Sequence, residues 1–124
     1  MRSFLCEDVP PPAGPYSQAV LSGGRIFVSG QISIDPKSGT MPAGMEDQAR
    51  TALKNLLTIL SSAGAGGILS TTVYLTDMND FSVMNSVYSE MFATPYPART
   101  CIGVSSLPKG AKIMIDAIGE IGNQ

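Results

Sequence analysis

The feature that most constrains this chain is the segment from Met45 to Ala63, the clearest of only two stretches with helical periodicity. Met45, Ala49, Ala52, Leu53, Leu56, Leu60 and Ala63 recur at i, i+3, i+4 spacing, which puts them on one face of a helix ending at a Gly64 cap. The opposite face is polar and carries Glu46 and Arg50 as an i, i+4 pair. The second helix is expected from about Asp80 to Phe92, with Phe81, Met84, Val87, Tyr88 and Met91 as its apolar stripe and Asp77 or Asn79 as its cap. Nearly everything else reads as strand or turn. Two helices cannot cover both faces of a sheet of about six strands, so the chain is expected to be α+β with both helices on one face. The uncovered face then needs another surface, most simply identical sheets in a closed oligomer.

Strand expectations follow the β-branched and aromatic runs. Phe4 and Leu5 suggest a short edge strand. Pro10-Pro11-Pro12-Ala13-Gly14-Pro15 must run extended as a strap, because proline cannot donate to a ladder. Tyr16 to Leu21 and Arg25 to Ser29 read as strands around the loop Ser22-Gly23-Gly24. Gly30 and Gln31 interrupt the second of them, as at a bulge or close backbone approach. A third strand, Ile32 to Ile34, ends at the turn Asp35-Pro36-Lys37-Ser38-Gly39. Ala65-Gly66-Gly67 connects to a strand over Ile68 to Leu75. Thr100 to Ser105 and Lys112 to Ile118 read as a closing hairpin around Leu107-Pro108-Lys109-Gly110.

Composition limits the chemistry. At 124 residues the chain is expected to form one domain over residues 1–124. It is 44% hydrophobic and 15% charged, with 8 Lys and Arg against 10 Asp and Glu and no run of like charge. That balance lacks the basic footprint of a nucleic-acid binder. The absence of histidine removes the commonest general base and metal ligand, and every Ser-His or Cys-His pair. No cofactor or metal is expected. Two distant thiols, Cys6 and Cys101, with no secretory or transit pattern and no apolar run of membrane-spanning length, point to a cytoplasmic protein with reduced cysteines.

One residue then stands out. Arg99 opens an apolar, β-branched run after a loop with two prolines, Thr94-Pro95-Tyr96-Pro97. A cation entering a strand requires an anion, because desolvating it unpaired costs several kcal/mol. That anion is either a carboxylate of the protein, in an internal salt bridge, or one carried by a ligand.

Several segments in order resemble the Rid family of reactive-intermediate deaminases, also known as the L-PSP endoribonuclease family. They are Gly14-Pro15-Tyr16-Ser17-Gln18-Ala19, Val28-Ser29-Gly30-Gln31-Ile32, Thr71 to Phe81, Pro97-Ala98-Arg99-Thr100-Cys101 and Leu107-Pro108-Lys109-Gly110-Ala111. The resemblance implies a chorismate-mutase-like α+β fold, a homotrimer and ligand clefts at the subunit interfaces. It also implies hydrolysis of 2-imino acids to 2-keto acids and ammonia. At the matching positions Arg99 holds the substrate carboxylate, and Tyr16, Ser29, Gly30, Asn85 and Cys101 are its neighbours. Tyr16 and Ser29 are thereby candidate catalytic residues. A guanidinium suits the task, since two parallel charge-assisted hydrogen bonds fix a carboxylate in a way lysine cannot.

The chain departs from the family at one point. Where the family carries a cleft glutamate thought to position the attacking water, this sequence has Met114, within Ile113-Met114-Ile115. A thioether accepts no proton, and losing a general base commonly costs ~10²- to 10⁴-fold. Asp116 shares the strand face of Met114, but its Cβ is expected ~6.5 Å further along. Met114 should also favour larger or more hydrophobic imino acids over 2-iminopropanoate. Rival readings are a non-catalytic binder of small carboxylates, a chaperone-like member, or a ribonuclease, the last disfavoured by charge and by the missing histidine. Cys101, without a neighbouring base, is expected to be a small buried hydrophobe rather than a nucleophile, and Lys109 a turn residue.

Overall fold

The computed structural model describes residues 1–122. Its elements run β1 (Arg2–Phe4), β2 (Ala19–Ser22), β3 (Arg25–Ile32), α1 (Met45–Ser62), β4 (Ala65–Leu75), α2 (Phe81–Met91), β5 (Ala98–Gly103) and β6 (Ile113–Ile121). The six strands form one mixed sheet in the order β1-β2-β3-β6-β4-β5. All neighbours are antiparallel except β4 and β5. Both helices lie on one face of the sheet, as expected. No helix of the described residues is long and apolar enough to cross a membrane.

The core is the layer between α1 and the sheet. Ala49, Ala52, Leu53, Leu56, Ile59 and Leu60 of α1 are buried against Ile26 and Val28 of β3, Val73 and Leu75 of β4, and Ile113, Ile115 and Ala117 of β6. The strand residues alternate, so Met114, Asp116 and Ile118 lie on the other face. Gly119 lets α1 approach closely, because a Cβ there would stand 2.9 Å from Leu60 and 3.2 Å from the Gly67 carbonyl oxygen. Gly64, at φ 79°, closes the end of α1 and donates its N–H to the Ser61 carbonyl.

Four sequence expectations are corrected. β5 and β6 are not a hairpin, because β4 lies between them and α2 carries the chain from β4 into the parallel β5. Ile32 to Ile34 is not a separate strand. Ile32 ends β3, which passes through a bulge between Val28 and Gln31, and the Ile32 and Ile34 carbonyls are taken by Asn55 Nδ2 at 3.3 and 2.9 Å. Tyr16 lies outside β2, because its N–H turns back to the Gly14 carbonyl at 2.8 Å and Ser29 Oγ donates to the Ser17 carbonyl at 2.6 Å. Finally, Ala65 to Gly67 belongs to β4, whose start pairs with the far end of β6.

Buried amides tie the loops to this frame. Gln48 Oε1 accepts from Ser33 Oγ and the Lys112 N–H, while its Nε2 donates to the Pro42 carbonyl. Gln18 does the same for the proline strap. Its Oε1 accepts the Cys6 N–H at 2.7 Å, and its Nε2 faces the Cys6 and Pro10 carbonyls at 3.2 Å each. The side chain acts as an added peptide unit where the prolines cannot donate.

Candidate functional site

The candidate residues fall in two separate places. Tyr16, Ser29, Gly30 and Met114 line a cavity of about 400 Å³ around the β3 bulge, walled also by Pro10 to Ala13, Gln18, Ile32, Ile34, Asn55 and Lys109. Arg99 and Asn85 line another of about 370 Å³, with Tyr88, Ser89, Tyr96 and Pro97. The two share no residue. Cys101 lies on β5 two residues beyond Arg99 and packs against the core.

Register explains the separation. Directly paired residues on neighbouring strands point to the same face of a sheet. Arg99 pairs with Thr71, which pairs with Ala117, all on the helix side. Met114 pairs with Tyr74, which pairs with Ile102, all on the open side. Within one chain Arg99 and Met114 are therefore on opposite faces of the sheet.

Arg99 is held by aromatic faces. Its guanidinium carbon lies 4.8 Å from the Tyr88 ring centroid and 5.6 Å from that of Phe81, and Nη1 points at Met84 Sδ at 3.7 Å. Tyr88 is fixed in turn by its hydroxyl, 2.8 Å from Thr71 Oγ1, and by stacking on Phe92 at 4.1 Å between centroids. Burial raises the Tyr88 phenol above its ordinary pKa, against a smaller opposing pull from the Thr71 hydrogen bond and the Arg99 charge. Among the described residues the salt bridges are Glu46 to Arg50 and Arg50 to Glu90. Arg99 therefore meets no protein carboxylate there, and the internal ion pair that the sequence left open does not form among the described residues. Cation–π contact steadies the charge without using the guanidinium's hydrogen-bonding edge.

The Cys101 thiol is pushed up by burial, only partly offset by the nearby Arg99 charge. Cys101 is only partly buried, short of the buried position the sequence suggests, and the raised thiol pKa disfavours the thiolate.

On the other wall Met114 lies directly over Gly30. A Cβ at residue 30 would stand 2.6 Å from Met114 Sδ and 2.9 Å from its Cγ, so the thioether occupies the room that glycine leaves. The nearest acid along that face, Asp116, accepts a hydrogen bond from the Tyr74 hydroxyl at 2.9 Å. Burial first, and Asp116 second, raise the Tyr74 phenol. Tyr16 is exposed at the cavity mouth, where its hydroxyl accepts the Ala13 N–H at 3.3 Å. Lys109, at φ 59°, adopts a left-handed turn on the cavity rim.

Sequence reasoning missed two parts of these walls. Gln18 stood inside a quoted segment without a role, and only its contacts with Cys6 and Pro10 reveal the strap as a wall. Tyr88 was assigned to an apolar stripe, and nothing short of strand register shows it beneath Arg99.

The comparisons with known proteins agree with one another. The family model described as endoribonuclease L-PSP matches residues 6–121. A RutC family protein of Pyrococcus horikoshii is 49% identical over 118 residues, covering 93% of this chain and 94% of the relative. The 2-iminobutanoate/2-iminopropanoate deaminase of Escherichia coli K12 is 42% identical over 122 residues, covering 94% and 95%. Among solved structures, E. coli TdcF with bound serine superposes with a TM-score of 0.90 at 40% identity, covering 98% of this chain and 100% of that one. With the family model spanning nearly the whole chain and relatives above 40% identity at full length, the chain belongs to the Rid family, whose family model is the endoribonuclease L-PSP one.

Proposed function

We propose that this protein is a cytoplasmic homotrimer that hydrolyses reactive 2-imino acids to 2-keto acids and ammonia in clefts shared between copies. The observation that carries the reading is Arg99, a guanidinium seated on Tyr88 and Phe81 with no carboxylate of the described residues in reach. Apart from the Nη1 contact with Met84 Sδ, its N–H donors suit a ligand carboxylate, held by two parallel charge-assisted hydrogen bonds. The placement of Arg99 and Met114 on opposite faces supports a composite cleft, in which one copy brings Arg99 and Asn85 and its neighbour brings Tyr16, Ser29, Gly30 and Met114. The serine bound in TdcF, a small amino acid with a carboxylate, fits the same ligand class.

In the proposed reaction Arg99 fixes the carboxylate and thereby the imine carbon next to it. Tyr16 and Ser29 line the side from which water arrives. Water oxygen adds to C2 while the C=N π pair moves to nitrogen. Solvent carries both protons of the added water to nitrogen, the C–N bond breaks, nitrogen leaves as ammonia, and the oxygen becomes the keto carbonyl. Met114 takes no proton, so this chain relies on positioning where a carboxylate would act as base. Met114→Glu is accordingly expected to raise kcat by about 10² or more, read by single-substrate kinetics.

The test couples a pyridoxal-phosphate-dependent dehydratase, as the source of imine, to this protein with semicarbazide present. Wild type should suppress semicarbazone formation and Arg99→Ala should not. Failure of the wild type to suppress it overturns hydrolysis for that imine. The thioether at position 114 favours one alternative, a non-catalytic binder of small carboxylates, and keto-acid binding without hydrolysis would support it.

A further inference from the structure

The cavity around Gly30 lacks an acid. Among the described residues, the charged side chain on its wall is Lys109 at the rim; Pro11, Pro12, Ile32, Ile34 and Met114 give the larger, apolar part of the wall, and Gln18, Ser29, Gln31 and Asn55 give the polar part. Met114 does not hang into this space. Its Sδ and Cγ lie against Gly30, closer than any Cβ would permit, so the thioether forms part of the wall and leaves the cavity open. Asp116 does not supply the missing charge, because it is not part of the cavity wall and its Oδ2 is turned to the Tyr74 hydroxyl. A volume of about 400 Å³ lies in the range of small-molecule pockets, roughly 300 to 1,000 Å³. A substrate with only a methyl side chain leaves most of that volume as water against walls that are mainly apolar.

We propose that the Gly30 cavity is the side-chain subsite of the cleft, selecting 2-imino and 2-keto acids with branched or aromatic apolar side chains, and that Met114 sets the selection. The proposal rests on the reading of Arg99 as the carboxylate site. The carboxylate lies on Arg99 of one copy, and the substrate side chain extends into the neighbour's cavity. Each buried methylene strengthens binding several-fold, so a branched five- or six-carbon acid should exceed pyruvate by about tenfold or more. A glutamate at 114, seated on Gly30, would put an anion in that wall and remove the preference, since apolar groups gain nothing beside an ionised carboxylate.

The experiment titrates pyruvate and 4-methyl-2-oxopentanoate, which cannot undergo imine hydrolysis, into the wild-type oligomer and into Met114→Leu, Met114→Glu and Arg99→Ala by calorimetry. Wild type and Met114→Leu are expected to bind the branched acid about tenfold tighter, and Met114→Glu to lose that preference. Equal affinities in wild type, or tighter pyruvate binding, overturn the selection even if Met114→Glu does not fold. An unchanged ratio in folded Met114→Glu overturns the role of Met114. Arg99→Ala separates the two claims. Weakening of both acids alike with the ratio kept supports both. Unchanged affinity for both acids overturns the carboxylate reading, and with it the subsite proposal that rests on it.

Discussion

Arg99 and Met114 are both defined by what lies beneath them. The guanidinium rests on Tyr88, which Thr71 and Phe92 hold in place, so its orientation is set by a packed aromatic and not by a counter-charge. Met114 rests on Gly30 because no larger residue leaves room. Gly30→Ala is therefore expected to cost about 1 to 3 kcal/mol by overpacking. In a Met114→Ala background the same change should cost much less, because the clashing atoms are gone. Denaturant unfolding of the four proteins in this cycle checks it, and simple additivity would show that Met114 is not the obstacle.

At the scale of elements, the strap and the helix pair each depend on a few polar side chains. Gln18 offers one acceptor and one amide donor to the backbone of Cys6 and Pro10. Gln18→Glu removes the donor and faces two carbonyls with a carboxylate, which is expected to cost about 2 kcal/mol or more. Because Cys6 is buried and its N–H and carbonyl are held by Gln18, its labelling by a thiol reagent should accelerate while that of Cys101 stays unchanged. Arg50 joins α1 to α2 by bridging Glu46 at 3.1 Å and Glu90 at 2.9 Å. The hydrogen bond from Arg50, then its charge, lowers Glu90 below its ordinary 4.5. A carboxyl depressed in the folded state stabilises fully above its unfolded pKa and loses that contribution as pH falls through the folded value. The melting-temperature gap between wild type and Glu90→Gln should thus be widest near neutrality and close in acid, though small throughout because the pair is exposed.

These elements also mark how far the sequence could be read. α1 was legible because its stripe is long and regular, and the Glu46 to Arg50 pair came with it. The capping role of Asp77 was legible too, although its Oδ1 accepts from the Asn79 N–H of a short 3-10 turn and not from α2 itself. Gly30 was legible as an interruption of β3. Its reason was not, since the atom that needs the space belongs to Met114, far away in the chain. The hairpin expected from β5 to β6 failed for a related cause. Short turn chemistry around Pro108 to Gly110 is local, whereas the preference of β6 for β3 and β4 comes from Ile113, Ile115 and Ala117 meeting α1 in the core. The carboxylate candidate, Arg99, was legible from its place in an apolar run, but its separation from Met114 needed the register of three strands.

For the whole molecule, the open sheet face and the two separated sets of site residues would, on the proposed reading, both be completed by a second copy. Phe27 and Ile102 stand exposed on that face, at 42% and 41% of their full surface. If the cleft is composite, Arg99→Ala and Tyr16→Ala are each defective in a different half of it. Denaturing and refolding equal amounts together should recover about a quarter of wild-type activity, the share of interfaces that receive one intact half from each variant. No recovery in demonstrably mixed oligomers would place all the working groups in one copy.

The position of β6 carries a consequence for how the molecule is made. It is the last strand in the chain but sits between β3 and β4 in the sheet. While a ribosome is still adding residues before Ile113, the five earlier strands have left it as two unjoined pieces, with the inner margins of β3 and β4 bare and α1 without its middle floor. Bare margins of this kind pair readily with those of other nascent chains. Synthesis of this protein thus passes through an interval of exposure that ends only when its final segment slides into the gap, and the cell's means of shielding emerging polypeptides must span it.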